Sequence, residues 1–467
     1  MKTIKLIIII TFVSLNVFSQ NIINTLGTNG LFTIKNGTTN YLSLSQTTGN
    51  LSLNNNLVLP VSASSFAGVI YKGVERFLHN FGTNNTFLGI KSGNFTLSGT
   101  NNTAIGIEAL SLNSTGYSNT TVGSFSLSSN TTGFNNNALG YLALYSNTSG
   151  SSNTAIGSES MISNTIGLGN TALGNTSLFS NSTGNNNTAL GYQSLFSNTV
   201  GYFNTASGWR SMYSNTTGFD NTALGIQTLF SNSGGIFNSA IGNNSLYTNT
   251  TGNDNIALGY ISLYSNTTGS QNIAIGSASL FNNTTGGNNI AIGYNTQVPS
   301  GILSNQVRIG NDFVTYAGVQ VPWTITSDRR WKHNILSSGL GLNFISKLNP
   351  VSYKRINDET QRTEYGFIAQ EVEDVLKESG IDNSGMITID DNGMYELRYN
   401  DLLAPMVKAI QDLKSEKDIE IAQLKTYNND LKKEIETMKT INEKVAKLEQ
   451  LVNELTAIKN SSLTESK

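Results

Sequence analysis

Apolar positions along most of the chain come in very short runs, such as Ala223-Leu224 and Leu229-Phe230, separated by turn-forming Asn, Thr, Ser and Gly. The runs recur every seventeen residues: glycine stands at thirteen positions from Gly89 to Gly293, and asparagine at thirteen from Asn85 to Asn289. A second glycine series, Gly99 to Gly286, and a second asparagine series, Asn113 to Asn283, keep the same period. One unit reads N-T-A-L-G-x-x-S-L-x-S-N-T-T-G-x-N. Neither apolar run is long enough for a stable helix. Two strands and two turns per unit predict one coil of a parallel β-solenoid or β-roll, with like positions stacked about 4.8 Å apart. Thirteen coils make a rod of roughly 60 Å. The Ala and Leu/Ile series are expected to fill the interior, stacked asparagines to exchange amide hydrogen bonds from coil to coil, and glycines to supply positive φ at tight corners.

Other patterns flank or decorate this ladder. Phe179, Phe196, Tyr213, Phe230, Tyr247, Tyr264 and Phe281 form an aromatic stripe that either packs on neighbouring chains or covers its own coil. Residues 21–81 lack the period but alternate in short stretches, as at Leu31 to Ile34 and Leu51 to Leu59, which predicts an N-terminal β module. At the start, Lys2 and Lys5 precede an apolar run from Leu6 to Val13 that Ser14, Asn16 and Ser19 end too early for a membrane span. Residues 1–20 are therefore expected to be a secretory signal peptide, which places the chain in the medium or on the cell surface. From Leu402 onward the composition is helical. Leu424, Asn428, Leu431, Ile435, Met438, Asn442 and Val445 alternate in steps of four and three, the seam of a coiled coil, with Asn428 and Asn442 fixing register.

Charge sharpens the division. Residues 1–322 hold eight basic and six acidic side chains, whereas the last 145 residues hold 20 basic and 24 acidic ones. A net charge of −2 argues against nucleic acid as a partner. The absence of cysteine from the sequence removes disulfides and thiolate metal sites. Between residues 82 and 305 the only acidic residues are Glu108, Glu159, Asp220 and Asp254, with no histidine, which disfavours paired catalytic carboxylates and a calcium-binding turn in every repeat. No cofactor and no metal are expected. The threonine row from Thr86 to Thr222 is read chiefly as strand propensity on a solvated face, with an ice- or surface-binding array as the alternative.

The candidate chemistry lies at the junction, residues 306–326, and just beyond it. Ser327 is followed five residues later by Lys332, within Ser327-Asp328-Arg329-Arg330-Trp331-Lys332. Downstream come Leu348-Asn349-Pro350-Val351-Ser352-Tyr353, then Tyr365-Gly366-Phe367-Ile368-Ala369-Gln370-Glu371-Val372, then Tyr399 to Leu403. In this order the segment resembles the endosialidase-type intramolecular chaperone, a self-cleaving peptidase family found at the ends of phage tail spikes and related fibres. The resemblance implies a catalytic Ser327–Lys332 dyad and cleavage between Thr326 and Ser327. The family motif often has an acidic residue where this chain has His333, which is given no catalytic role. Repeats 82–295 resemble the head of trimeric autotransporter adhesins, which implies three chains around a common axis.

A serine hydroxyl is a poor nucleophile until a base takes its proton, and a lysine can do so only when neutral. Arg329 and Arg330 could supply the charge that lowers its pKa, and Trp331 could exclude water. Five residues turn through 500° on a helix, so Ser327 and Lys332 do not share a helical face. A bend or a partner chain must join them; otherwise Asp328 simply caps a short helix and Lys332 is solvated.

The combined expectation is mainly β: a signal peptide (1–20), an N-terminal β module (21–81), a solenoid (82–305), a β junction (306–326), a small α/β self-cleaving chaperone (327–409) and a coiled-coil tail (410–467). The function read from it is a homotrimeric, adhesin-like fibre matured by one self-cleavage per chain, with a host-surface or glycan ligand left open and no membrane span after signal removal. The alternatives are a polysaccharide-degrading spike and an ice- or surface-binding solenoid.

Overall fold

A computed structural model describes residues 31–36, 39–45, 51–53, 59, 61 and 68–464, and the segment read as a signal peptide lies outside them. Strands β1 (Leu31–Asn36), β2 (Thr39–Ser45) and β3 (Leu51–Leu53) form an antiparallel sheet. Strands β4 (Ile70–Lys72) and β5 (Glu75–His79) pair with each other, and β5 runs antiparallel to the first repeat strand. The sheet of the solenoid thus begins upstream of residue 82. Thirteen three-residue strands follow, one per repeat, from β6 (Thr86–Leu88) to β18 (Ile290–Ile292), and β19 (Val307–Ile309) closes the ladder. All of these pair in parallel with their sequence neighbours in unbroken register, as in Thr205↔Thr222, Ala206↔Ala223 and Ser207↔Leu224.

Each coil holds one strand rather than two. The second apolar run forms a turn in which Gln227 and Leu229 both lie in the left-handed region, at φ 51°. That conformation costs a residue with a Cβ roughly 1–2 kcal/mol. It is offset by complete burial of the Leu229 side chain, worth about 1.5–3 kcal/mol, and by the bond from Leu229 N to Ser245 O at 3.0 Å. The core consists of two rows, the alanines of the strands and this Leu/Met series from Leu110 to Leu280. The expected inward Leu/Ile of the strand instead faces outward, because alternation along a three-residue strand sends only the middle residue in.

Polar side chains complete the stack. Asn221 Nδ2 lies 3.1 Å from Asn204 Oδ1, 3.1 Å from Phe219 O and 2.8 Å from Gly235 O, while its Oδ1 accepts from Asn238 N (3.0 Å) and Nδ2 (3.1 Å). The first ladder repeats the Asn-to-Asn amide bonds, the second joins each Nδ2 to the Oδ1 seventeen residues before and to a glycine carbonyl three residues on, and no buried side-chain polar atom among the described residues lacks a partner. Gly225 shows why its series is glycine: φ is +137°, and a Cβ would sit 2.8 Å from the Gly242 carbonyl. The aromatic stripe stacks ring on ring along its own chain at 4.9–5.3 Å, so it covers its own coils.

Beyond the ladder lie helix α1 (Leu342–Ile345), the antiparallel pair β20 (Val351–Tyr353) and β21 (Glu364–Gly366), helix α2 (Ala369–Glu378) and the hairpin of β22 (Ile387–Ile389) and β23 (Tyr395–Leu397). Phe344, Val372, Leu376, Met386 and Leu402 form their core. Helix α3 (Leu403–Thr464) follows with 62 residues. Among the described residues no helix is long and apolar enough to cross a membrane.

Candidate functional site

The chain from Gly310 to Asp328 carries no strand or helix, and it then makes a single 3-10 turn at Arg329–Trp331. Asp328 starts the turn: its carboxylate accepts from Arg330 N at 2.8 Å. The Arg330 guanidinium folds back on the same carboxylate, with Nε at 3.0 Å and Nη2 at 2.8 Å. Those bonds hold the Asp328 carboxyl below the usual carboxylate range. Lys332 N donates to Arg329 O at 3.1 Å, after which the chain returns to an extended conformation.

This turn solves the spacing problem. A 3-10 turn advances three residues per revolution, and the extended residue after it lets Lys332 reach back, so its Nζ stands 2.7 Å from Ser327 Oγ. Asp328 does cap a short helix, as the plain alternative required, and the same cap brings the two side chains together. Thr326 precedes them, exposed. The site therefore pairs a hydroxyl with an amine next to the bond between Thr326 and Ser327, in hydrogen-bond reach for proton transfer.

The surroundings differ from expectation. The Arg330 charge is directed to Asp328 rather than left free beside Lys332. Trp331 is 82% exposed in the single chain, and Ser327 and Lys332 are exposed with it, so neither burial nor the indole dehydrates the amine there. His333 is likewise exposed. Among the described residues no group of three or more His, Asp or Glu side chains could hold a metal ion.

The downstream motifs meet in space. Asn349 Nδ2 donates to Glu371 Oε2 at 3.2 Å, linking the segment before β20 to the first turn of α2. Phe367 N donates to the Tyr399 hydroxyl at 3.1 Å, beside Gly366, where any Cβ would collide with that hydroxyl. Leu342 N donates to Asp412 Oδ2 at 3.2 Å, anchoring α1 on α3. Three residues that bind this unit to the solenoid, Arg308, Asp391 and Glu396, went unnoticed in the sequence, although Arg308 occupies the position where the seventeen-residue register calls for alanine.

Comparison with known proteins matches residues 327–381 to the peptidase family described as chaperone of endosialidase. No curated protein and no solved structure matches the chain. The matched segment begins at Ser327 and includes Lys332, Asn349 and Glu371. Residues 327–381 thus form a chaperone-of-endosialidase domain, C-terminal to a repeat β-solenoid, an arrangement that fits a fibre of the phage-tail-spike kind.

Proposed function

We propose that the chain is an exported, homotrimeric surface or secreted fibre whose C-terminal domain directs assembly and then cuts itself off between Thr326 and Ser327. The observation that carries this reading is the 2.7 Å contact from Lys332 Nζ to Ser327 Oγ at the first residue of the matched domain. In the proposed step neutral Lys332 takes the hydroxyl proton, and Ser327 Oγ attacks the Thr326 carbonyl carbon. The bond from that carbon to Ser327 N breaks, the nitrogen leaves as an amine with the proton from Lys332, and an ester joins Thr326 to Ser327 Oγ. Water then hydrolyses the ester. Because the attacked bond adjoins the nucleophile, proximity supplies much of the acceleration and no substrate pocket is needed. Each chain turns over once.

Trimerisation is supported by two apolar rows that a single chain leaves open. Val122, Leu139, Ile156, Leu173, Ile241 and Ile275 line the outward face of the strands, and Leu424, Ile435, Met438 and Val445 line α3. Covering the junction with neighbouring chains would dehydrate Lys332 and so restrict cutting to assembled fibres. Register errors are the hazard of parallel, long-range strand pairing; a C-terminal nucleus reduces that search, and its removal leaves the fibre kinetically trapped. Expression of the chain with and without Ser327→Ala, followed by denaturing gels and intact mass, tests the cut. Wild type should give a fragment starting at Ser327 and the variant should stay whole; two intact proteins, both trimeric, would refute it.

A further inference from the structure

The last coil is built differently from those before it. Along the ladder Thr250 N donates to Thr267 O, Thr267 N to Thr284 O, and Thr284 N to Gly301 O, at 2.8–2.9 Å. Gly301 N is next in line, and the coil that would supply its acceptor does not exist. The Asp391 carboxylate takes that place, with Oδ2 2.9 Å from Gly301 N, and Asp391 N donates back to Pro299 O at 2.7 Å. The alanine row ends in the same way. Ala291 pairs in register with Arg308 on the edge strand β19, and the Arg308 guanidinium, instead of a methyl, forms an ion pair with Glu396 of β23. Arg362 Nη2 adds a bond to Thr315 O at 3.2 Å. The contacts of Asp391, Glu396 and Arg362 each join a residue before Thr326 to a residue after Ser327.

We propose that this surface is a docking site for the chain's own severed domain: residues 327–467 stay bound to the last coil as a noncovalent end cap after the peptide bond is cut. The proposal rests on the cut at Ser327 only for its biological occasion, since the contacts exist before any bond breaks. The hairpin turn takes the place of the missing next coil at Pro299 and Gly301, and its Glu396 carboxylate holds the Arg308 side chain of the edge strand. An ion pair and a carboxylate–amide bond, both partly solvated, make the dock weaken with ionic strength. Cutting and release are therefore separate events.

The test introduces a recognition sequence for a site-specific protease before residue 327 of the full chain carrying Ser327→Ala, so the cut is made on demand and a failure of self-cleavage cannot be confused with a failure of docking. After cutting, the C-terminal fragment should co-elute with the solenoid in size exclusion at about 50 mM salt and separate at about 1 M. Arg308→Glu should speed separation about ten-fold or more, and the swap Arg308→Glu with Glu396→Arg should restore retention. Separation of the unaltered dock at low salt, or a swap that fails to restore retention, overturns the proposal.

Discussion

Replacing Asn221 by aspartate tests the asparagine ladder with almost no change of shape. The carboxylate keeps the oxygen that accepts from Asn238 N and Nδ2, but puts a second oxygen where Nδ2 donates to Gly235 O at 2.8 Å and Asn204 Oδ1 at 3.1 Å. Gly235 O and Asn204 Oδ1 each lose one of two donors, keeping Asn232 Nδ2 at 3.0 Å and Asn221 N at 3.2 Å, so the main cost is the buried, unpaired carboxylate whose oxygen now faces oxygen where no water reaches. The result is a loss of about 3–5 kcal/mol at neutral pH, large beside the 5–15 kcal/mol typical of whole domains. Because coils contact only their neighbours, the damage should appear as a break in the stack rather than uniform loosening. The sign with pH is also set: burial raises the new carboxyl's pKa, so acidification protonates it, restores one donor and reduces the defect. Urea unfolding and hydrogen exchange over residues 204–238 read the effect. Asn243→Asp, the same chemical change at an exposed position of the next coil, should stay within about 0.5 kcal/mol of wild type. If Asn221→Asp lies within about 1 kcal/mol of wild type at pH 7, the ladder is not a principal source of stability.

Gly225→Ala should cost about 3–5 kcal/mol, since it combines φ +137° with a methyl 2.8 Å from backbone, and a normal urea midpoint would contradict this. His79 is buried between Phe87 and Phe95, with Nε2 donating to Ser92 O at 2.8 Å; burial lowers its pKa below the ordinary value of about 6.5. The fold favours the neutral ring while the unfolded chain takes up the proton, so this stability is complete above pH 6.5 or so and is lost on acidification. Protection from exchange over residues 70–95, measured against the intrinsic rate at each pH, should fall from pH 7 to 5 in wild type and stay flat in His79→Gln. Leu424→Lys with Ile435→Lys should abolish self-association in sedimentation and lower helix content; an unchanged sedimentation profile would remove α3 as the assembly seam.

The ladder was legible because stacking forces like residues to recur at one interval. Asn85 to Asn289 and Gly89 to Gly293 report the period, the amide bonds and the positive φ together. What could not be read was Leu229 in a left-handed turn: leucine avoids that region in isolation, and only the neighbouring coils make the conformation favourable. That error also misassigned the interior, placing Leu224 inside when alternation sends it out. At the candidate site, the sequence offered Ser327 and Lys332 only through the company they keep, and their 2.7 Å approach depends on a cap at Asp328 and a turn too short to leave a periodic trace. The contacts of Asp391 and Glu396 with the last coil join segments about 90 residues apart and have no local pattern, although Arg308 breaking an alanine series was a visible clue.

The one-interval bonding of the coils also makes length a free variable. Since each repeat speaks only to those seventeen residues before and after it, removing or duplicating one whole unit returns every partner to an equivalent partner and leaves both ends intact. The rod should therefore change by steps of about 4.8 Å, whereas an insertion of a single residue inside a unit displaces a whole coil from its alignment. Such a molecule behaves as a ruler that recombination between repeats can lengthen or shorten, setting how far its tip stands from its base without redesigning either.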